Sequence, residues 1–271
     1  IKLCYNPVVP NLAPLTCAQD EEPARLKNVV QPTVPMAIPE RAGHPCLEEL
    51  VPAGAFVGTS LILRQHGRFL YGMRPVRGFA SPPAIELTGI GGGVEPADKT
   101  YTQGVLREAR EEIGCGEGEV ACCRVRLIPC GRTLVVRGRD QLSWVALQGP
   151  ERPAALVFRH HRTPPHEPWH AHNQGRAWLI VYLADLEGRP CPTAELPWLL
   201  WMSPDQVRQT AHKDVPLRAL LDAGAELVLG AEGMPPADSC LRLTDSQEAL
   251  GLALGSALPV FYQSFCAAGQ P

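Results

Sequence analysis

Three glutamates at positions 108, 111 and 112 are the residues of this sequence best suited to chemistry. On a helix, Glu108 and Glu112 share one face at a spacing of four, and Glu111 stands three residues from Glu108. Like charges so placed repel, at about 0.2–0.5 kcal/mol per exposed pair, a cost that a solvated acidic helix tolerates. A hard divalent cation would relieve that repulsion, because Mg²⁺ takes oxygen ligands and is held by one or two carboxylates together with substrate phosphates. The stripe alone is compatible with both readings.

The elements around it sharpen the choice. Thr100 and Gln103 have the T-x-x-Q form of a capping box, which predicts a helix starting near Tyr101. Gly114 suits the left-handed position that ends one, and Leu106, Ala109 and Ile113 give that helix a core-facing stripe. Upstream, Phe56–Leu63 and Arg68–Arg74 read as strands around a turn at Gln65-His66-Gly67, followed by a loop to Pro83, a short strand Ile85–Thr88, and Gly89, Gly91, Gly92 and Gly93. Downstream, Leu127–Val136, Leu142–Leu147 and above all Ala177–Leu186 (AWLIVYLADL) read as strands. Helices are expected near Pro204–Thr210, Pro216–Ala223 and Ser246–Leu258. This order predicts an α/β (α+β) architecture, a mixed β-sheet sandwiched between helices.

Residues 1–54 carry nine prolines and read as an extended N-terminal arm, since proline removes backbone donors and blocks helix interiors. The expected organisation is that arm, a main domain over 55–230, and a helical C-terminal extension over 231–271. A net charge of −3 supplies no broad basic field, which disfavours duplex nucleic acid as a partner. No apolar run reaches the roughly 18 residues of a membrane span, and no secretory signal is visible at the start. Ten cysteines lack the spacing of a disulfide framework, so free thiols in a reducing cytoplasm are expected.

The stretch GGGVEPADKTYTQGVLREAREEIGC, from Gly91 to Cys115, resembles the signature box of the Nudix (MutT-like) hydrolases: a glycine, five residues, a glutamate, seven residues, then R-E-(apolar)-x-E-E-x-G-(apolar). Arg107, Glu108, Ala109, Glu111, Glu112, Gly114 and Cys115 match its second half in full. The resemblance covers roughly residues 55 to 210. It departs from the pattern once: at strict spacing from Gly93, Lys99 stands where the box has its first glutamate. With Gly92 aligned instead, Asp98 takes the acidic role and the loop is one residue longer. We prefer that alignment.

The resemblance implies a metal-dependent pyrophosphohydrolase that cleaves a diphosphate bond in a small nucleoside diphosphate derivative, with nucleotide sugars, ADP-ribose-like compounds and nucleoside triphosphates all open. It implies that Glu108, Glu111 and Glu112 hold Mg²⁺ or Mn²⁺, that a backbone carbonyl near Gly92 adds a ligand, and that Arg107 orients the carboxylates. Family members often supply a general base from a later loop, and Glu195, six residues before Trp201, is the candidate. Glu187, Glu167 and Glu111 or Glu112 are the rivals. Five of the eight histidines fall in His160–His172, with no trusted zinc spacing. Pro129 resembles, weakly, a feature of ADP-ribose-cleaving members. The other readings are a nucleotide-binding or regulatory module without turnover, which Lys99 favours, and an isomerase on the same fold, for which Cys115 and Cys130 are the nearby thiols. The arm and the tail are compatible with a homodimer interface or with a cover over the pocket.

Overall fold

A computed structural model describes residues 44–76, 84–116, 122–138, 141–160, 176–210, 215–236 and 238–243. These residues build one mixed sheet of twelve strands. Its centre is a parallel pair, β1 (Phe56–Gln65) and β8 (Arg176–Gly188), in register from Phe56↔Ala177 to Arg64↔Asp185. An Arg64–Asp185 ion pair of 2.5 Å closes one end.

Strand β8 shows why AWLIVYLADL is so evenly apolar. Side chains alternate across a strand, and here Trp178, Ile180, Tyr182, Ala184 and Leu186 enter one core while Val181 and Leu183 enter the other. Both faces are covered, so neither half of the alternation has a reason to be polar. One core receives helix α1 (Leu47–Leu50) through Leu47, and helix α2 (Tyr101–Ile113) through Val105, Ala109 and Ile113. The other receives Val207 of α3 (Pro204–Thr210) and Leu217 and Leu220 of α4 (Leu217–Asp222). Helices therefore flank a mixed sheet, as expected.

β1 turns into β2 (Arg68–Pro75) through His66 and Gly67, both at positive φ, the backbone of a tight two-residue hairpin loop. β2 then pairs with β3 (Ala84–Thr88) on one side and with β9 (Trp198–Met202) on the other. Beyond β8 lie β4 (Cys123–Ile128) and β7 (Ala155–His160), and β5 (Thr133–Gly138) and β6 (Gln141–Val145) complete that edge. β10 (Val215–Pro216) and β11 (Glu226–Leu229) pair with β12 (Cys240–Leu243) and β9 respectively.

Several elements differ from expectation. Leu127–Val136 is two strands, interrupted where Pro129 lacks a ladder donor and Gly131 breaks the run. WLLWM is a fully buried strand, β9, whose five apolar residues carry no period to read. Two pieces outside the 55–230 span are built into the same layers: Leu47 is wholly buried, and β12 lies parallel to β3. The Pro-rich arm through residue 43 and the expected helix Ser246–Leu258 lie outside the described residues. No helix among the described residues is long and apolar enough to cross a membrane.

Helix α2 begins and ends where its sequence dictates. Thr100 Oγ1 accepts the Gln103 N–H at 3.1 Å, while Gln103 Oε1 accepts the N–H of Lys99 at 3.0 Å, so the capping box closes one residue early. Gly114 ends the helix at φ 65°, in the left-handed region that glycine enters without Cβ strain.

Candidate active site

The glycine loop is held against β1 by its own backbone. Leu61 N–H donates to Ile90 O at 2.7 Å, Thr59 N–H to Gly92 O at 2.8 Å, and Val94 N–H to Val57 O at 3.0 Å. One lone pair of the Gly92 carbonyl, the expected backbone ligand, is thereby used, and one remains. Gly91 sits at φ 152°, and a Cβ there would lie 2.1 Å from Thr59 O. A Cβ on Gly92 would lie 2.6 Å from the Glu108 carboxylate. Only glycines let this loop press onto both the strand and the acidic face of α2.

On that face, Glu108 and Glu112 are buried and Glu111 is half-exposed. Gly91 N–H donates to Glu112 Oε2 at 2.7 Å, tying loop to helix. Burial pushes the Glu112 carboxyl up to about 8, and the neighbouring charges of Glu108 and Glu195 add to the effect. Glu108 is also raised, first by burial, while Arg107 works against it. Two buried carboxylates on one helix face thus lack enough positive charge around them.

Arg107 is the hub. Its guanidinium donates to Gly93 O (2.9 Å), Asp98 Oδ2 (3.2 Å), Glu108 Oε1 (2.9 Å) and Glu111 Oε2 (3.0 Å). Asp98 also accepts the Glu95 N–H at 2.8 Å, and Arg107 beside it holds its carboxyl below the usual range. Asp98 therefore meets the arginine, whereas Lys99 is exposed and contributes its backbone N–H to the helix cap.

Glu195 lies on an exposed turn whose approach is moored to the end of α2: Cys191 N–H donates to Ile113 O at 3.0 Å, and Thr193 Oγ1 to Glu112 O at 3.1 Å. Its charge raises both Glu108 and Glu112, so the loop brings it to their side. Glu187 instead pairs with Arg126 at 3.9 Å. Glu167 and residues 161–172 of the histidine stretch lie outside the described residues.

Two contributors were not foreseen. Arg74, bound to Glu86 at 2.7 Å on neighbouring strands, is a positive charge felt by Glu112; an arginine at a strand end reads in sequence as ordinary surface. Glu151 is a buried carboxylate that accepts from Thr102 N–H (3.2 Å), Thr102 Oγ1 (2.6 Å) and the Tyr182 hydroxyl. It places negative charge at the N-terminus of α2, where the helix dipole favours it. No local pattern could have joined residue 151 to residue 102.

All these donors are oxygens, the ligand type of a hard divalent cation. Among the described residues no three His, Cys, Asp or Glu side chains converge closely enough to enclose an ion. Glu108 and Glu112 are the two buried carboxylates of this face, whereas Glu111 rests on Arg107.

A test of this packing contrasts two adjacent glycines. The clash at Gly92 falls on the flexible end of Glu108, which moves at little cost, so Gly92→Ala should unfold near the wild-type urea midpoint. Displacing that carboxylate should lower the diphosphate hydrolysis proposed below roughly 10–100-fold. Gly93→Ala meets nothing within 4 Å and should leave both quantities unchanged.

No family model and no curated protein matches the chain. Solved structures resemble it loosely. The E. coli ORF135 protein is 16% identical over 76% of this chain and 94% of its own, with a TM-score of 0.39. A protein of Jonesia denitrificans described as a possible asymmetric diadenosine tetraphosphate hydrolase is 12% identical over 76% and 94%, with a TM-score of 0.41. A MutT NUDIX hydrolase from Burkholderia pseudomallei is 20% identical over 55% and 84%, with a TM-score of 0.30. At such values the likeness carries no argument about what this chain does.

Proposed function

We propose that the chain is a Nudix-type pyrophosphohydrolase that cleaves a diphosphate bond in a small nucleoside diphosphate derivative with the help of Mg²⁺ or Mn²⁺. The observation that carries this reading is the Arg107 hub, which gathers Asp98, Glu108 and Glu111 while Gly91 N–H holds Glu112. A surface acidic helix has no need of two buried carboxylates, and a buried charge is costly unless something balances it.

Glu108 and Glu112 would hold the cation, with Glu111 as the third carboxylate. When bound, it supplies positive charge for the diphosphate and lowers the pKa of the attacking water. The rest falls to the protein. Arg107 keeps the Glu108 carboxylate turned toward the loop, and the Gly91 N–H fixes which oxygen of Glu112 stays free. Glu195, exposed to water, takes the proton as general base.

Nucleotide sugars, ADP-ribose and nucleoside triphosphates, each assayed with Mg²⁺ and with Mn²⁺, should yield phosphate-containing cleavage products from at least one class. Cleavage of none would reject the hydrolase. Glu195→Gln should lower kcat roughly 10²–10⁴-fold and leave KM near its wild-type value. An unchanged kcat would move the base to Glu111 or Glu112.

One observation favours a nucleotide-binding module without turnover: Glu111 is engaged by Arg107, and among the described residues no three ligand side chains converge. Calorimetric binding of a nucleotide that the same preparation does not cleave would decide for it.

A further inference from the structure

Four cysteines meet where α2 ends. Cys115 and Cys123 bridge backbone to backbone and are buried, with Cys123 Sγ directed at Ile113 O at 3.5 Å. The other two are accessible: Cys122 is exposed and Cys191 partly so. Each is fixed by one of two consecutive carbonyls, Cys191 N–H donating to Ile113 O at 3.0 Å and Cys122 N–H to Gly114 O at 3.3 Å. A Cβ placed on Gly114 would lie 3.5 Å from Cys191 Cβ and 3.9 Å from Cys122 Cβ, so both side chains flank the same point. The Cys122 sulfur lies 3.8 Å from that same point, and Cys191 Sγ is directed at Arg189 O at 3.8 Å. A second tether, Arg189 N–H to Cys122 O at 3.1 Å, holds the two backbones together.

Dithiols this close, with one sulfur open to solvent, are where reversible oxidation concentrates. We propose that Cys122 and Cys191 form a reversible oxidative modification site, closing to a disulfide when the protein meets a peroxide. The exposed Cys122 thiolate attacks one peroxide oxygen. The O–O bond breaks, leaving a sulfenic acid on Cys122 and releasing hydroxide, which takes up the thiol's proton as water. The Cys191 thiol then attacks the Cys122 sulfur, the S–O bond breaks and a second water leaves. In total, two thiols and one hydrogen peroxide become one disulfide and two waters. Cys191 stands four residues before Glu195, so the bond would fasten the Glu195 loop to the start of β4. This chemistry is independent of whether the chain hydrolyses anything.

The test uses the full chain, reduced, desalted and treated with a small excess of hydrogen peroxide. Intact mass should fall by about 2 Da, with two fewer alkylatable thiols, and dithiothreitol should reverse both changes. Peptide mapping should find Cys191 linked to the peptide bearing Cys122 and Cys123. Cys122→Ser should abolish the link, which separates Cys122 from its neighbour. Cys191→Ser should abolish it as well and leave Cys122 as a sulfenic acid that dimedone traps. A linkage that survives in Cys122→Ser, a link between any other pair in its place, or over-oxidation of Cys122 without a crosslink would overturn the proposal.

Discussion

Glu112→Gln is expected to lower diphosphate hydrolysis at least about 100-fold while leaving the protein no less stable. Loss of residues that merely orient a metal ligand typically costs 10–100-fold, and loss of the ligand proposed here should cost no less. Stability should hold because glutamine keeps an amide oxygen to accept the Gly91 N–H, which Glu112 now accepts at 2.7 Å. It also removes a buried group whose ionised form is costly there. The Glu112 carboxyl is raised from its ordinary 4.5 to about 8 by burial, so between those values the folded chain retains a proton that the unfolded chain has released. Stability therefore falls as pH rises, by roughly a few kcal/mol between about pH 5 and 8, and levels off above. Melting temperature measured against pH in the presence of a chelator should show this slope in the wild type and much less of it in Glu112→Gln. The slope left over belongs to Glu108, whose carboxyl is raised in the same direction. Identical slopes in the two proteins would mean that Glu112 is not buried as described.

Arg107→Ala should be damaging in both stability and activity. The substitution deletes donors to Gly93 O, Asp98, Glu108 and Glu111 at once. Asp98 and Glu108, whose side chains are 7% and 11% exposed, would then be near-buried carboxylates without a counter-charge. Charge-assisted hydrogen bonds are each worth about 1.5–3 kcal/mol, but the partial exposure of this site discounts their sum. We expect a loss of about 2–3 kcal/mol in urea unfolding, and activity reduced roughly 10–100-fold through the disoriented Glu108. Arg107→Lys should recover only part of either, because an ammonium is a point charge and lacks the planar fork that reaches four acceptors. Full rescue by lysine would show that charge alone, and not orientation, is what Arg107 supplies.

The two variants probe different kinds of information. Glu108, Glu111 and Glu112 could be grouped from spacing because a helix converts separations of three and four into neighbours within one turn. The ends of that helix were legible for the same reason, since Thr100, Gln103 and Gly114 act over a few residues. The central strand was legible because a chain apolar on both faces admits few other arrangements. Asp98 and Lys99 were not separable in this way. They are adjacent, and the choice between them depends on how the glycine loop lies along β1, which the hydrogen bonds of Thr59 and Leu61 decide.

By itself, then, the sequence determined helix α2, its acidic face, its core stripe and the sheet-and-helix class around it. All of these follow from periodicities that the backbone imposes locally. Only the tertiary structure decided that Glu112 is buried against Gly91, that Glu111 rests on Arg107, that Glu151 braces the start of α2, and that Cys122 lies beside Cys191. Each of these joins residues whose meeting depends on strand register, loop path or side-chain direction. Such contacts form only when the sheet closes, and no local pattern of residues encodes them.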